Sequence, residues 1–239
     1  MTKQERKLQT RNNISDYIKE SNQKVLNEQK EFYSFNDKFV FIKDPLPDHI
    51  NIKFVLETLE EKIPSHLLHE VESIFVGQFD DFIERQTNAF YKDGAIYVSN
   101  DQDNEEDMLD DIVHESAHAA EKTFSMYIYG NGMLEEEFLG KRRRLYSILK
   151  ARELENLPLP DTFGEVDYSL GFDKFLYEDV GYPILTTLTM GLFVSPYGIT
   201  SLREYFANGF EEYFIGDRKY LKNVSPILYN IIGEISDLY

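Results

Sequence analysis

The segment DIVHESAHAAEKTF, residues 111–124, contains two histidines and a glutamate in the pattern HExxH. Residues four positions apart on a helix lie one turn apart on the same side, so His114 and His118 can face one metal ion. Glu115, beside the first histidine, is placed to accept a proton from a water molecule on that ion. The pattern predicts a zinc site, but a catalytic zinc usually takes three protein ligands. The chain has no cysteine, so the third ligand must offer nitrogen or oxygen.

Glu121 is the nearer candidate for the third ligand. It follows His118 by three residues, and a rise of about 1.5 Å per residue carries its side chain beyond an ion centred between the histidines. Families with a third ligand close downstream usually turn the chain at a glycine first. The first glycine after His118 is Gly130. We therefore expect Glu121 either to hydrogen-bond to a metal ligand without touching the ion or to lie at the surface.

Glu204 is the second candidate, and it lies in the segment SPYGITSLREYFANGFEEYF, residues 195–214. The aromatic, amphipathic pattern of this segment predicts a helix with a buried face. A carboxylate on that face is costly unless it is paired or bound to a metal ion. Glu204 could equally share a solvated side with Arg203, Glu211 and Glu212. The spacing alone does not decide between these two positions.

The order of HESAH, YGITSLREYFANGFEEYF and KYLKNVSPILYNII resembles the anthrax lethal factor-like zinc metallopeptidases. That family includes the lethal-factor catalytic domain and the secreted Pro-Pro endopeptidases. The resemblance covers residues 39–239, with its motifs in two short stretches. It implies that His114, His118 and Glu204 bind zinc, that Glu115 is the general base, and that Tyr197 polarises the scissile carbonyl.

The resemblance implies a zinc-dependent endopeptidase that hydrolyses peptide bonds through a zinc-bound water. The cofactor would be Zn²⁺ and the partner a protein or peptide substrate, whose sequence the motifs do not specify. One alternative is a non-catalytic binding or accessory protein with a zincin fold, for example from a phage or plasmid; Glu115 and Tyr197 argue against it because such a protein has no chemical need for them. Another is an unrelated helical protein with a chance HExxH. Asn208 departs from the family, whose members often have a second glutamate there, and this weakens any inference about supporting carboxylates.

Composition excludes several classes of function. The formal net charge of −18 over 239 residues argues against a nucleic-acid surface, because phosphate binding needs a basic face. The longest apolar segment, residues 182–194, is too short and too rich in threonine to span a bilayer, so no membrane partner is expected. No signal peptide is visible, which predicts a cytoplasmic protein, or a secreted one if a leader was removed before this numbering begins. The sequence does not predict an oligomeric state.

The elements around the motifs predict an α+β fold: a zincin-like domain, residues 34–239, after an N-terminal helical extension, residues 1–33. A small mixed sheet precedes the HExxH helix, and the C-terminal half is mostly helical. Strands are predicted over residues 39–44 and 73–78, with a hairpin around Asp93 and Gly94. The run GAIYVS, residues 94–99, is either an edge strand that pairs with an extended peptide or a central strand.

The helical part of the prediction rests on apolar periodicity and on proline and glycine. The basic run at residues 141–144 is expected to be a solvated face, and His66 and His69 are expected to be surface or capping residues. Besides the motif helix, helices are predicted over residues 50–63, 133–154, 183–193 (buried), 200–215 and 220–238, with a loop at 157–171.

Overall fold

Five short strands form one mixed sheet in the computed structural model, which describes residues 31–35, 38–85, 87–154 and 156–238. The strand order is β1-β2-β3-β5-β4; β2, β3 and β5 are parallel, and β1 and β4 are antiparallel to their neighbours. The predicted mixed sheet before the HExxH helix is confirmed. The strands are β1 (Glu31–Phe35), β2 (Lys38–Ile42), β3 (Ser73–Val76), β4 (Ala89–Lys92) and β5 (Ala95–Val98).

The predicted hairpin is the β4–β5 pair. Its two turn residues, Asp93 and Gly94, have φ angles of 50° and 85°, as a type I′ turn requires. Strand β5 pairs with β3 on one side and β4 on the other. Of the two alternatives for residues 94–99, the central strand is therefore confirmed, and β4 is the edge of the described sheet on this side. Which strands pair depends on residues far apart in the chain, so residues 94–99 alone could not show where β5 lies in the sheet.

Most of the rest of the described chain is helical, as predicted for its C-terminal half. They are α1 (Ile52–Lys62), α2 (Asp80–Arg85), α3 (Glu105–Tyr129), α4 (Met133–Ala151), α5 (Leu170–Lys174), α6 (Tyr182–Thr189), α7 (Leu202–Phe214), α8 (Arg218–Val224) and α9 (Pro226–Ser236). A π-helical segment, Phe175–Val180, follows α5, and short 3₁₀ turns cover Ser65–Leu68, Pro160–Gly164 and Tyr197–Ile199.

Helix α3 carries the HExxH motif through the centre of the fold. The first turn of α3 is acidic, and its negative charges interact favourably with the positive end of the helix dipole. The side chain of Asn104 caps the helix by accepting from the Asp107 N–H. Apolar residues on α3, among them Met108, Ile112 and Val113, are completely buried. The helix packs against α1, α7 and β4, so its motif residues lie between the sheet and the C-terminal helices.

Two helical predictions are wrong in detail. The predicted helix at residues 220–238 is two helices, because Pro226 lacks an N–H and the preceding Ser225 leaves the helical region, with φ −136° and ψ 67°. The helix predicted to be buried at residues 183–193 ends at Thr189, and within α6 only Leu185 and Thr189 are buried.

The basic run at residues 141–144 is not a fully solvated face, because Lys141 and Arg142 are buried. The Lys141 Nζ donates to the carbonyls of Leu192 and Val224 and to the Ser225 hydroxyl, each at 2.7 Å. This lysine therefore fastens α4 to the start of α9.

Arg142 fastens the chain between α4 and α5. Its guanidinium donates to the carbonyl oxygens of Thr162, at 2.9 Å, and Glu165. It also stacks on the ring of Phe172, with 4.1 Å between the guanidinium carbon and the ring centroid. The buried guanidinium of Arg142 thus anchors the segment predicted as a loop, residues 157–171, to α4.

The predicted N-terminal extension, residues 1–33, lies outside the described residues except for residues 31–33, which belong to β1. His69 is exposed as expected, but His66 is half-buried, and its Nε2 lies 2.8 Å from the carbonyl oxygen of Ile235. Within the described ranges, none of the helices has the length and apolar content needed to cross a membrane.

Candidate metal centre

Helices α3 and α7 bring two imidazoles and one carboxylate together. His114 and His118 project from α3, and Glu204 lies in the first turn of α7, where the Ser201 hydroxyl accepts from its backbone N–H. The His114 Nε2 lies 2.9 Å from Glu204 Oε2, and the His118 Nε2 lies 3.5 Å from Glu204 Oε1. One ligand atom from each of the three residues lies within 4.8 Å of the other two. The structure therefore brings together the three residues predicted as metal ligands.

The donor set and its spacing fit a zinc ion. Two ligands bound at 2.0–2.1 Å to a tetrahedral ion lie about 3.3 Å apart. The nitrogen-to-oxygen distances, 2.9 Å to one carboxylate oxygen of Glu204 and 3.5 Å to the other, lie close to that value. All three side chains are only partly exposed, which leaves an approach from solvent.

Each imidazole also has a carboxylate on its other nitrogen. The Nδ1 of His114 bonds to Glu211, and the Nδ1 of His118 lies 3.1 Å from Glu121 Oε2. A carboxylate at Nδ1 places the proton there and directs the Nε2 lone pair towards the common centre. Glu121 thus has the expected supporting position. The sequence did not identify Glu211, although it lies two helical turns after Glu204 and therefore on the same face of α7.

Glu121 is buried and is itself held by a network of hydrogen bonds. The Arg203 guanidinium donates to Glu121 Oε2 through Nε at 2.9 Å and through a terminal nitrogen at 2.7 Å. The Tyr129 hydroxyl donates to the other oxygen. Burial alone would raise the pKa of Glu121, but the bonds from His118 and Arg203 outweigh it and lower the pKa. The carboxylate therefore stays ionised behind His118.

The carboxylates strongly affect the protonation of both histidines. Burial alone would lower the pKa of His118, but Glu121 and Glu204 raise it to about 9. In the same way burial opposes protonation of His114, while Glu204 and Glu211 raise its pKa well above the ordinary value. Burial would raise the pKa of Glu204, but its bonds to the two histidines lower it instead. At neutral pH, protons are thus the competitors of a metal ion at this centre.

Glu115 is buried beside the metal ligands and faces the edge of the sheet. Its Oε2 accepts a 2.7 Å hydrogen bond from the backbone N–H of Tyr91 in β4. Burial raises the pKa of Glu115, partly opposed by the charges of His118 and His114 and by the Tyr91 N–H. Glu115 is therefore held in one position and binds protons more readily than an exposed glutamate. The partner on β4 is a second contact that the sequence did not reveal.

Tyr197 lies in the 3₁₀ turn before α7, with its ring centroid 6.1 Å from that of His114 and 39% of the residue exposed. Burial of the hydroxyl raises its pKa, and the charges of Glu204 and Asp173 raise it further. The hydroxyl therefore keeps its proton at neutral pH and can donate a hydrogen bond beside the centre. This is the region in which the sequence placed it.

Asn208 holds the turn that carries Tyr197. Its side-chain oxygen accepts from the Ser195 hydroxyl, which in turn accepts from the Gly198 N–H at 3.4 Å. Gly198 packs on Asn208 so closely that an added Cβ would lie 3.3 Å from the asparagine oxygen. Asn208 therefore positions the turn, and Glu211 supplies the supporting carboxylate.

An acidic cavity of about 500 Å³ lies beside the start of α3. Burial raises the pKa of Asp110 and Asp111 to about 6, and the nearby Glu211 and Glu115 contribute. Since Asp111 precedes His114 by one helical turn, the cavity adds negative charge close to the metal ligands. Its lining consists of Asn88, Asp101, Gln102, Asp103, Asp107, Asp110 and Asp111.

Comparison of the chain with models of known protein families, with curated proteins and with solved structures finds no match.

Proposed function

We propose that the chain is a zinc-dependent endopeptidase of the zincin type, as its resemblance to the lethal factor-like metallopeptidases implies. The observation that carries the proposal is the convergence of His114, His118 and Glu204, on two different helices, with Glu115 beside them. A structural ion pair between His114 and Glu204 would need neither the second histidine nor the buried Glu115 beside it. Tyr197 adds a hydroxyl donor at the same place.

Zinc held by His114, His118 and Glu204 would supply a Lewis acid that lowers the pKa of water and polarises a carbonyl group. Glu115 accepts the proton of the attacking water and passes it to the leaving nitrogen; its raised pKa suits both transfers. Tyr197 donates its hydroxyl proton in a hydrogen bond to the oxygen of the tetrahedral intermediate. The chain thus has one residue for each role that peptide hydrolysis requires besides the metal.

The edge strand β4 offers a place for the substrate. The N–H of Tyr91 bonds to Glu115 and not to β5, so the outer side of β4 faces the general base. On the same side the Ala89 N–H and carbonyl oxygen bond to the Thr87 hydroxyl, which an added strand would have to displace. An extended peptide can add to an exposed sheet edge through main-chain hydrogen bonds. A peptide on β4 would pass directly beside Glu115. This role replaces the one that the sequence suggested for residues 94–99.

The test combines metal content with cleavage. Purified protein is analysed for zinc and incubated with a diverse peptide library, with the Glu115→Gln variant as control. We expect one zinc per chain in both proteins and cleavage by the unsubstituted protein only. Zinc without cleavage of any peptide would favour the non-catalytic binding protein, and neither zinc nor cleavage would refute the metal centre. Equal cleavage by both proteins would place the general base elsewhere.

A further inference from the structure

Several tyrosines and one carboxylate lie near one another at the surface beside the candidate metal centre. We call it the tyrosine patch, and it consists of Tyr168, Asp173, Tyr177, Tyr182 and Tyr197. Its residues come from the loop before α5, from α5 itself, from the π-helical segment, from the start of α6 and from the turn before α7. The roles proposed above for peptide hydrolysis use only Tyr197 among them. The π-helical segment is itself a rare conformation that is common at functional sites.

Hydrogen bonds and ring contacts hold the tyrosine patch together. The Tyr168 hydroxyl donates to Asp173 Oδ2 at 2.7 Å, and burial together with the nearby Asp173 charge raises the pKa of Tyr182 to about 12. The rings of Tyr177 and Tyr182 meet edge to face, with centroids 5.6 Å apart. One phenol donor leaves the Asp173 carboxylate with unused acceptor positions, because its two oxygens offer about four. Asp173 can therefore accept further hydrogen bonds from a ligand.

The tyrosine patch is joined to the metal centre by backbone and by charge. The Leu202 N–H, at the start of α7, donates to the Val166 carbonyl at 2.8 Å, two residues before Tyr168. Burial raises the pKa of Tyr168 to about 12, and the charges of Asp173 and Glu204 contribute. The same two carboxylates act on Tyr197. The patch thus lies within electrostatic reach of a predicted zinc ligand.

The tyrosine patch is open to solvent and favours a cation. Tyr168 is 50% exposed and Tyr177 is 64% exposed, with Leu170 and Ile184 also exposed nearby. Ring faces attract ammonium and guanidinium groups. An anion would be repelled by Asp173 and by the formal net charge of −18. A neutral apolar ligand would cover the Asp173 charge without compensating it.

We propose that the tyrosine patch binds a lysine or arginine side chain of a peptide next to the bond that is cleaved. The long aliphatic stem of such a side chain lies on the tyrosine rings, and its charged group reaches Asp173. The assignment of this peptide as a substrate rests on the proposed peptidase function, but binding to the patch does not require cleavage.

The experiment measures binding separately from cleavage. Zinc-loaded Glu115→Gln protein is immobilised and incubated with peptide pools of equal length, with random neutral flanks and one fixed central residue: lysine, arginine, acetyl-lysine or norleucine. Acetyl-lysine keeps the stem and removes the charge. We expect lysine and arginine pools to be retained about tenfold more than the two neutral pools, as one charged contact with ring faces allows. Mass spectrometry of the retained peptides gives the ratio.

Variants then assign the preference to the patch. Asp173→Asn should bring the ratio of basic to neutral retention close to one, and Tyr177→Leu, which keeps apolar area but removes a ring face, should reduce it. Asp167→Asn removes the same charge from an exposed position of the same loop and should keep the ratio. Melting temperatures show whether each variant is folded. If Asp173→Asn does not fold, Tyr177→Leu alone tests whether the patch causes the preference for basic peptides.

Two results would overturn the proposal: equal retention of basic and neutral pools, or a ratio that Asp173→Asn and Tyr177→Leu leave unchanged. Failure of the peptidase function gives a different result. In that case Glu115→Gln protein still retains basic peptides, while the unsubstituted zinc-loaded protein cleaves none. Conversely, cleavage without preference for basic residues would leave the peptidase standing and remove the assigned specificity.

Discussion

Each imidazole of the candidate metal centre uses its two nitrogens for different partners. The Nε2 atoms face Glu204, while the Nδ1 atoms bond to Glu211 and Glu121. Loss of such a supporting carboxylate typically weakens metal binding by about 10–100-fold, because the ring loses its orientation and basicity. The single residues of the site are therefore expected to have distinct phenotypes.

Glu211→Gln is expected to weaken zinc binding about 10–100-fold while leaving the protein folded. The neighbouring Glu212→Gln is the matched control, because the Glu212 carboxylate accepts from the Asp217 N–H and does not contact His114. Competition with a zinc chelator of known affinity measures both. An equal affinity in the two variants would show that the Glu211 bond does not orient His114.

Tyr197→Phe is expected to lower kcat by about 10²–10³, with little change in KM or zinc content, because its hydroxyl acts mainly in the transition state. Phenylalanine keeps the ring in the turn before α7, so packing is retained. Steady-state kinetics on any cleaved peptide decides. A kcat within a few-fold of the unsubstituted protein would mean that the tyrosine only packs.

Zinc affinity should rise with pH between about 6.5 and 9. In protein freed of metal, the raised pKa values mean that His118, up to about pH 9, and His114 carry protons that zinc must displace. The affinity should increase about tenfold per pH unit for each proton displaced. Calorimetry in buffers of different ionisation enthalpy should show proton release at pH 7. An affinity that does not change over this range would show that both rings are neutral before zinc binds.

At the scale of helices and strands, buried cations attach the C-terminal elements to α4. Lys141→Met keeps much of the side-chain volume but leaves the Leu192 and Val224 carbonyls without their donor. An unsatisfied buried polar group costs about 1–3 kcal/mol, so we expect a loss of about 2–4 kcal/mol in the free energy of unfolding. Lys150→Met, at an exposed position of the same helix, should change it by less than about 0.5 kcal/mol. Urea denaturation measures both, and equal stabilities would contradict the tethering role.

The sequence predicts those elements whose residues carry their own pattern of apolar spacing or turn residues. Periodicity and turn residues gave the HExxH helix, the β4–β5 hairpin and the first residues of α7. Pro226 is also a local signal, and it accounts for the break between α8 and α9. The interior position of β5 and the burial of Lys141 and Arg142 depend on partners far away in the chain, so no local run of residues could reveal them. Glu211 and Glu212 are adjacent glutamates that lie on different sides of α7. Only the contact of Glu211 with His114, which the structure shows, identifies Glu211 as the supporting carboxylate.

For the whole molecule, a bound zinc ion should raise the melting temperature. A ligand at one hundred times its dissociation constant stabilises by about 2.7 kcal/mol, which for a domain of this size corresponds to about 5–10 °C. We expect a chelator to lower the melting temperature of the zinc-loaded protein by that amount. Glu204→Gln, which alters a predicted ligand, should show little response in the same assay. An identical response from both proteins would place the metal elsewhere.

The separation of Glu204 from the HExxH helix has a consequence for how the chain folds. On the isolated segment of α3 a zinc ion finds only the two histidines, because the carboxylate arrives only after α4 to α7 have been made and have docked. Closing so long a stretch of chain is slow compared with forming one helix. Zinc should therefore have little influence on the refolding rate and should mainly slow unfolding, since its full ligand set exists only once the two halves have met. Retention of the ion would then report that a newly made chain has reached its native state.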